Sequence, residues 1–216
     1  TEALATWPDD ASKHTGGVLH AVFQWSWDLL TQAERRVLQQ ISAFDDALPL
    51  EALEEIVVAD DDFIEDLVQA LLDKSMLVVR PLGRFATLMP VREFVRQFPL
   101  EERAALFRRH RLWFAQWSRE AGVRLQQISD PTVVSEIRKH YRSHLLHALE
   151  QFTASPTSEA IGLIEPIEIL YEPEADRQMV ALCEHLWNQE HLSTADEIDI
   201  AMHLTKVAQR TGQPQQ

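Results

Sequence analysis

The run Leu67-Val68-Gln69-Ala70-Leu71-Leu72-Asp73-Lys74-Ser75-Met76-Leu77-Val78-Val79-Arg80-Pro81-Leu82-Gly83-Arg84-Phe85-Ala86-Thr87-Leu88 changes its hydrophobic period halfway along. Up to Lys74 the apolar residues keep helical spacing. Phe63, Ile64, Leu67, Val68, Leu71 and Leu72 share one side of a helix expected to begin near Asp61 and Asp62. After Lys74 two short apolar runs, Met76 to Val79 and Phe85 to Leu88, flank Arg80-Pro81-Leu82-Gly83, whose Pro and Gly suit a tight turn. That half reads as a hairpin. Working backwards, Pro49 opens a short helix with Leu50, Leu53, Ile56 and Val57 on one side. Before it, Thr31-Gln32-Ala33-Glu34 is a capping box leading into a stripe of Ala33, Val37, Leu38, Ile41 and Phe44. Three helices followed by a β-hairpin wing is the order of a winged helix, a variant of helix-turn-helix. Val18 to Leu30 reads as an additional helix packed on it.

Working forwards, a helix is expected from about Val91 to Gln97, a break at Pro99, and a long helix from about Leu100 to Ile128. Leu106, Phe107, Trp113, Phe114 and Trp117 give that helix a heavy stripe, read as core packing. Asp130 caps a helix that has Pro131 at its first position. Ser155-Pro156 and Glu172-Pro173 mark further breaks, and Thr194-Ala195-Asp196-Glu197 reads as another capping box, opening a helix through Val207. The expected architecture is mainly α. Residues 1–17 form a linker or flexible start, 18–98 a winged-helix domain, and 99–216 a helical region of tetratricopeptide-like pairs repeating every ~34 residues.

Composition narrows the function. The 216 residues include 34 acids and 20 bases, for a net charge of −14, and 45% are hydrophobic. A chain of this length can bury about 70% of its unfolded surface, so it needs neither disulfide nor metal. The single cysteine, Cys183, fits a reducing compartment, and a cytoplasmic location is expected. No apolar run is long enough to span a membrane, and Thr1 to Asp10 lack the character of a signal peptide. The chain does not start with Met, which reads as a fragment or a processed chain. None of the six glycines belongs to a phosphate-cradling GxxxxGK[ST] or GxGxxG loop, so no nucleotide site of that kind is expected in this chain.

Charge is unevenly spread. Residues 91–125 carry 8 bases and 4 acids, between acid-rich stretches at 1–60 and 151–216 that each carry 11 acids and 3 bases. In a helix-turn-helix the third helix enters the major groove. Here its outward positions are Asp62, Glu65, Asp66, Gln69 and Asp73, which phosphates repel, while the wing adds only Arg80 and Arg84. Nucleic acid is therefore a disfavoured partner. Duplex binding, if any, is assigned to the basic stretch from Arg92 through Arg124.

Two stretches carry a family resemblance. The first is Ala21-Val22-Phe23-Gln24-Trp25-Ser26-Trp27-Asp28-Leu29-Leu30-Thr31-Gln32-Ala33-Glu34-Arg35-Arg36, with Leu38, Ile41, Ser42 and Phe44 after it. The second joins Leu67, Leu71-Leu72-Asp73-Lys74-Ser75-Met76-Leu77, Gly83-Arg84-Phe85 and Val91-Arg92-Glu93-Phe94-Val95. Together they resemble the winged-helix region of bacterial STAND (NB-ARC-type) signal-transduction ATPases and related transcriptional regulators. The likeness covers about residues 18–118; Tyr141 to Glu150 is more loosely similar to the entry into that family's repeats. The resemblance implies an upstream nucleotide-binding module, outside this chain, that holds ATP or ADP with magnesium. It also implies that the winged helix packs on that module in an ADP-bound, autoinhibited state, and that C-terminal repeats sense a protein or small-molecule effector. Eukaryotic relatives carry Met-His-Asp after the wing, its His contacting the ADP phosphate. Leu88-Met89-Pro90 stands there, and neither Met89 nor Pro90 has a donor side chain.

No constellation supports an enzyme site. His140, His144 and His147 fall at i, i+4 and i+7, a spacing at which a helix could present a zinc ion with Glu136, but a polar helix face explains them as well. Cys183 and His185 stand two apart, which on one helix points them in different directions. The expected function is thus a non-catalytic regulatory and protein-interaction fragment of a STAND-type ATPase. The alternative is a DNA-binding winged-helix regulator. Candidate contact residues are Trp25, Asp62, Glu65, Asp66, Met89, Arg92, Arg96, Arg103, Arg108, Arg109 and Arg111.

Overall fold

The computed structural model describes residues 20–59, 62–127, 131–170, 172–188 and 192–211. The expected linker at 1–17 and the Asp130 cap lie outside the described residues, and so do the side chains of Arg124 and Glu136. The chain is mainly α-helical with one small antiparallel sheet, and it divides after Glu101 into two compact units. Among the described residues no helix is long and apolar enough to cross a membrane.

The first unit holds α1 (20–28), α2 (Gln32–Ile41), β1 (Leu48–Pro49), α3 (Leu50–Ile56), α4 (Ile64–Asp73), β2 (Val78–Arg80), β3 (Arg84–Ala86) and α5 (Met89–Val95). The capping box forms: Thr31 Oγ1 accepts from the Glu34 amide at 3.2 Å, and a Glu34 carboxylate oxygen accepts from the Thr31 amide at 2.7 Å. From that start α2 buries Val37, Leu38 and Ile41. Gln40 is buried beside them because its amide clamps the end of α3. Its Nε2 donates to the Val58 carbonyl at 2.8 Å and its Oε1 accepts from the Val58 amide at 2.9 Å.

Helix α4 starts at Ile64, later than the spacing suggested. Phe63 is its extended N-cap residue and is 74% exposed, so it leaves the stripe, which consists of Ile64, Leu67, Val68 and Leu71. The helix ends in a Schellman arrangement. Ser75 takes the left-handed conformation (φ 58°), its amide reaching the Leu72 carbonyl at 2.9 Å and the Met76 amide reaching the Leu71 carbonyl at 2.9 Å. Met76 and Leu77 are consumed by that turn and buried, so β2 begins only at Val78.

The sheet has one strand more than the hairpin reading supplied. Leu48 pairs with Phe85 and Pro49 with Arg84, giving the order β1-β3-β2 with β3 in the middle. Between β2 and β3 both Leu82 (φ 64°) and Gly83 (φ 63°) are left-handed. Glycine takes that conformation freely, whereas Leu82 does so at a cost of roughly 1–2 kcal/mol. Trp27 from α1 stacks on Phe98 at 4.4 Å and 8° and meets Phe94 edge-on at 6.2 Å, anchoring α1 to the segment after the sheet.

Lys74 Nζ donates to both oxygens of Glu34, at 2.6 and 2.7 Å, joining the start of α2 to the end of α4. Burial pushes the Glu34 carboxyl up. The hydrogen bonds from Lys74 and Thr31 and the Lys74 charge together outweigh it and hold the group below its ordinary 4.5. A depressed folded value contributes stability that is present above the unfolded value and is lost as pH falls through the folded one. Lys74→Met is therefore expected to cost about 1–2 kcal/mol at pH 7, the exposed lysine limiting the loss, and to cost progressively less below pH ~4.5. Urea titrations at pH 7 and pH 3.5 read both effects; an equal loss at the two pH values would contradict them.

The second unit holds α6 (Arg103–Gln127), α7 (Pro131–His140), α8 (Arg142–Ala154), a 3-10 segment (Ser158–Leu163), α9 (Ile164–Leu170), α10 (Pro173–Trp187) and α11 (Thr194–Thr211). Helix α6 packs against α8 and the 3-10 segment. Phe107 and Phe114 on α6 are buried, as are Leu145, Leu149 and Phe152 on α8. The cap of α11 sits one residue before the expected one. Ser193 Oγ, not Thr194, accepts from the Asp196 amide at 3.2 Å, one of two adjacent frames, Ser193-x-x-Asp196 and Thr194-x-x-Glu197, that fit the capping pattern.

Candidate functional site

In the first unit the outward face of α4 is acidic: Asp62 just before it, then Glu65, Asp66 and Asp73, with Gln69 donating to Asp73 at 2.8 Å, are all exposed. Helix α3 extends this face. Glu54 shares a hydrogen bond with Glu65, which raises the Glu54 carboxyl above its usual value, and Glu51 and Glu55 add further negative charge. Apolar side chains stand open in the same unit. Val22 and Trp25 on α1 and Leu29 in the turn just after it are 51%, 66% and 58% exposed, and Met89 is 66% exposed.

The arginines expected to form a contact surface are largely engaged within their own units. Arg92 and Arg96 both donate to Asp45 at 2.9 Å, and Arg96 also donates to the carbonyls of Ser42 at 2.8 Å and Ala43 at 3.0 Å, sealing the end of α2. Burial raises the Asp45 carboxyl, but these two guanidinium groups outweigh that and hold it below its ordinary value. In the second unit Arg111 donates to the Gln151 and Ser155 carbonyls at 3.1 Å and lies over the Phe152 ring, closing the C-terminal end of α8. Arg103 lies over Phe107, Arg108 is exposed and Arg109 is half-buried. These roles could not be read from a count of charges.

The three histidines do not share one helix. The chain breaks at Tyr141, leaving His140 on α7 and His144 and His147 on α8. His144 instead meets His110 of α6, with His110 Nε2 and His144 Nδ1 3.1 Å apart, and His147 contributes a third ring 5.4 Å from that of His110. Phe114 stacks on His144 at 4.9 Å and 12°. Burial above all, then the neighbouring imidazoles, hold the His110 pKa well below 6.5, so this ring stays neutral. Among the described residues no group of three or more His, Cys, Asp or Glu is arranged to hold a metal ion. Cys183 is buried on α10 and its thiol is pushed up to about 12, chiefly by burial, while His185 faces outward. A thiol held protonated in this way is no nucleophile.

A cavity of about 230 Å³ opens in the second unit. Its inner wall is Ser118, Ile161, Gly162 and His203; Arg119, Glu165, Asp199, Met202 and Lys206 stand around them. The shape depends on Gly162, where an added Cβ would lie 2.3 Å from the Ala115 carbonyl oxygen of α6. His203 is fully buried, and its Nδ1 lies 2.7 Å from Glu168 Oε1, while Lys206 donates to the other oxygen of Glu168 at 3.1 Å. Burial raises the Glu168 carboxyl, but its bonds to His203 and Lys206 outweigh that and keep it ionised. A carboxylate only accepts, so His203 Nδ1 carries a proton and donates to Glu168. His203 Nε2 and the Ser118 hydroxyl are buried with no hydrogen-bond partner among the described residues. Sequence reading missed this group, since Glu168 stands 35 residues from His203 and 38 from Lys206. Only the i, i+3 spacing of His203 and Lys206 on one helix hinted at a shared partner.

No family model, curated protein or solved structure matches this chain.

Proposed function

We propose that the chain is a regulatory, non-catalytic, cytoplasmic piece of a bacterial STAND-type signalling ATPase. In this reading the first unit is a winged helix that docks on an upstream nucleotide-binding module, and the second is a repeat-like helical region that meets an effector. The order α2-β1-α3-α4-β2-β3 with a three-stranded sheet supports the winged-helix assignment. The packing of α7 on α8 and of α10 on α11 supports helical pairs. ATP or ADP and magnesium belong to the upstream module in this reading.

The observation that carries the proposal is the exposed acidic face of α4, with Asp62, Glu65 and Asp66 around the exposed Phe63. A face of that chemistry repels phosphate and suits a basic, partly apolar protein surface. Reversal of Asp62, Glu65 and Asp66 to Lys in the native full-length polypeptide is expected to speed ADP release at least about tenfold, the equivalent of ~1.4 kcal/mol of lost docking. Unchanged release would sink the docking role. These acids are a cleaner probe than Arg92 and Arg96, whose bonds to Asp45 hold the unit itself together.

The alternative, a DNA-binding regulator using the basic stretch, makes a different prediction. The docking reading expects no duplex binding below micromolar concentration at 50 mM salt. A gel shift that appears at submicromolar protein and fades steeply by 200 mM salt would favour the DNA reader.

A further inference from the structure

Helix α6 meets α8 through two imidazoles that face each other inside the second unit. His110 Nε2 and His144 Nδ1 are 3.1 Å apart; His110 is fully buried and His144 nearly so. At that distance one proton lies between the two nitrogens, donated by one ring and accepted by the other. The pair can therefore carry one positive charge. It cannot carry two, because an imidazolium donates from both nitrogens and two N–H groups would then point at each other. The rings packed around them are apolar: Phe114 stacks on His144 and lies against His110, and Phe107 lies against His147.

The surrounding charges act in the same sense. The groups whose charge reaches His110 are His144 and His147 of α8, and each, once protonated, repels a further proton there. Elsewhere on α8, Glu150 lies 4.0 Å from His147 at the exposed surface, and Arg142 pairs with Glu172. The neighbours of His110 along α6, Arg108, Arg109 and Arg111, are cationic. On the other elements packed against α6, Glu159 of the 3-10 segment is bonded to Thr157 and lies in the field of Arg111 and Arg108. Glu168 of α9 is bound by His203 and Lys206, and Glu165 lines the cavity with Arg119.

We propose that the His110–His144 pair is an acid-sensitive latch between α6 and α8, closed while one proton is shared between the rings and released when both rings are charged. In the unfolded chain each histidine titrates near ~6.5. In the folded unit His110 is held well below that, chiefly by burial. The stability it contributes is therefore whole above about pH 6.5 and is lost as pH falls from there toward the folded value. One proton taken up on opening multiplies the opening equilibrium about tenfold for each pH unit below ~6.5. The first unit has its own control groups, because Glu34 and Asp45 lie below their ordinary values of 4.5 and 3.8 and respond only in stronger acid. The latch uses α6 and α8 alone and does not depend on the docking reading above.

Hydrogen exchange of the whole chain, read by mass spectrometry between about pH 7.5 and 5.0 and corrected for the intrinsic rate, tests it. Peptides of α6 and α8 are expected to lose about thirtyfold in protection over that range, and those of α2 and α4 less than about threefold. His110→Gln is uncharged at every pH and still able to accept from His144. It is expected to cut the loss in α6 and α8 to under about fivefold, whatever it does to their protection at neutral pH. A second reading needs no variant: nitrogen-15 spectra of the histidine rings should show His110 uncharged in the folded unit down to about pH 5.5. The proposal is overturned if His110 becomes imidazolium near pH ~6.5 while α6 and α8 keep their protection. It is equally overturned if α6 and α8 lose no more protection than α2 and α4, or if His110→Gln retains the full wild-type loss.

Discussion

Gly162→Ala is expected to cost the second unit about 3 kcal/mol, the upper end of ordinary overpacking penalties. The reason is the backbone it would meet. The new Cβ would stand 2.3 Å from the Ala115 carbonyl oxygen and 3.1 Å from its carbon, and neither can rotate away as a side chain tip could. Relief requires the 3-10 segment to move off α6, loosening one of the main packing surfaces of the unit. For a unit of about a hundred residues this lowers Tm by on the order of 15 °C. The same substitution at Gly83 has a different cause and a smaller effect. There is nothing within 4 Å of a Cβ at that position, but φ is +63°, so the cost is the left-handed backbone alone, about 1 kcal/mol. Thermal unfolding of the two variants side by side checks the contrast, and equal losses would show that close approach is not what Gly162 provides.

Phe114→Ala is expected to cost about 3–5 kcal/mol, through lost burial and the cavity left behind. Phe114 is fully buried at the meeting of α6 and α8. It stacks on His144, lies against His110 at 4.6 Å, and has Trp113, Trp117 and Tyr141 around it. None of these rings can collapse into its space without giving up another contact, since Trp117 is already stacked on Tyr141 at 4.4 Å. The measurement is urea unfolding with near-ultraviolet circular dichroism, which should lose intensity in the native baseline as the stacked rings gain freedom. Phe114→Leu, which restores most of the volume without the ring, should recover more than half of the loss; failure to do so would place the stabilisation in the ring contacts themselves.

Local chemistry was legible in the sequence, and convergence was not. The Thr31 cap, the apolar stripe of α2 and the break at Pro173 are short-range consequences of side-chain reach and backbone restriction, so they could be placed from neighbours alone. The two-residue strand β1 carries no period of its own and exists because Phe85 and Arg84 arrive opposite it. The cap fell on Ser193 where Thr194 was expected because both Ser193-x-x-Asp196 and Thr194-x-x-Glu197 satisfy the local pattern, and the sequence alone does not choose between two adjacent frames. The histidine spacing suggested one helix face, yet the chain breaks at Tyr141 and the partner of His144 comes from α6. The cavity draws on residues from 118 to 206, and nothing in a linear pattern brings those together. Charge counts likewise gave a basic stretch but not its use, which in Arg92, Arg96 and Arg111 is to close the ends of helices within their own unit.

The lone cysteine gives the second unit a clock. Because Cys183 is buried and its thiol is held protonated in the folded state, an aromatic disulfide reagent can reach a thiolate only when α10 parts from its neighbours. Each labelled chain then records one opening, with no competing thiol to confuse the tally. At reagent concentrations where capture outpaces reclosing, the labelling rate becomes the opening rate itself; at low reagent it becomes the population of the open form. A ligand that stabilises the closed unit would lengthen the interval between openings, so its binding could be timed through a single atom that never touches it.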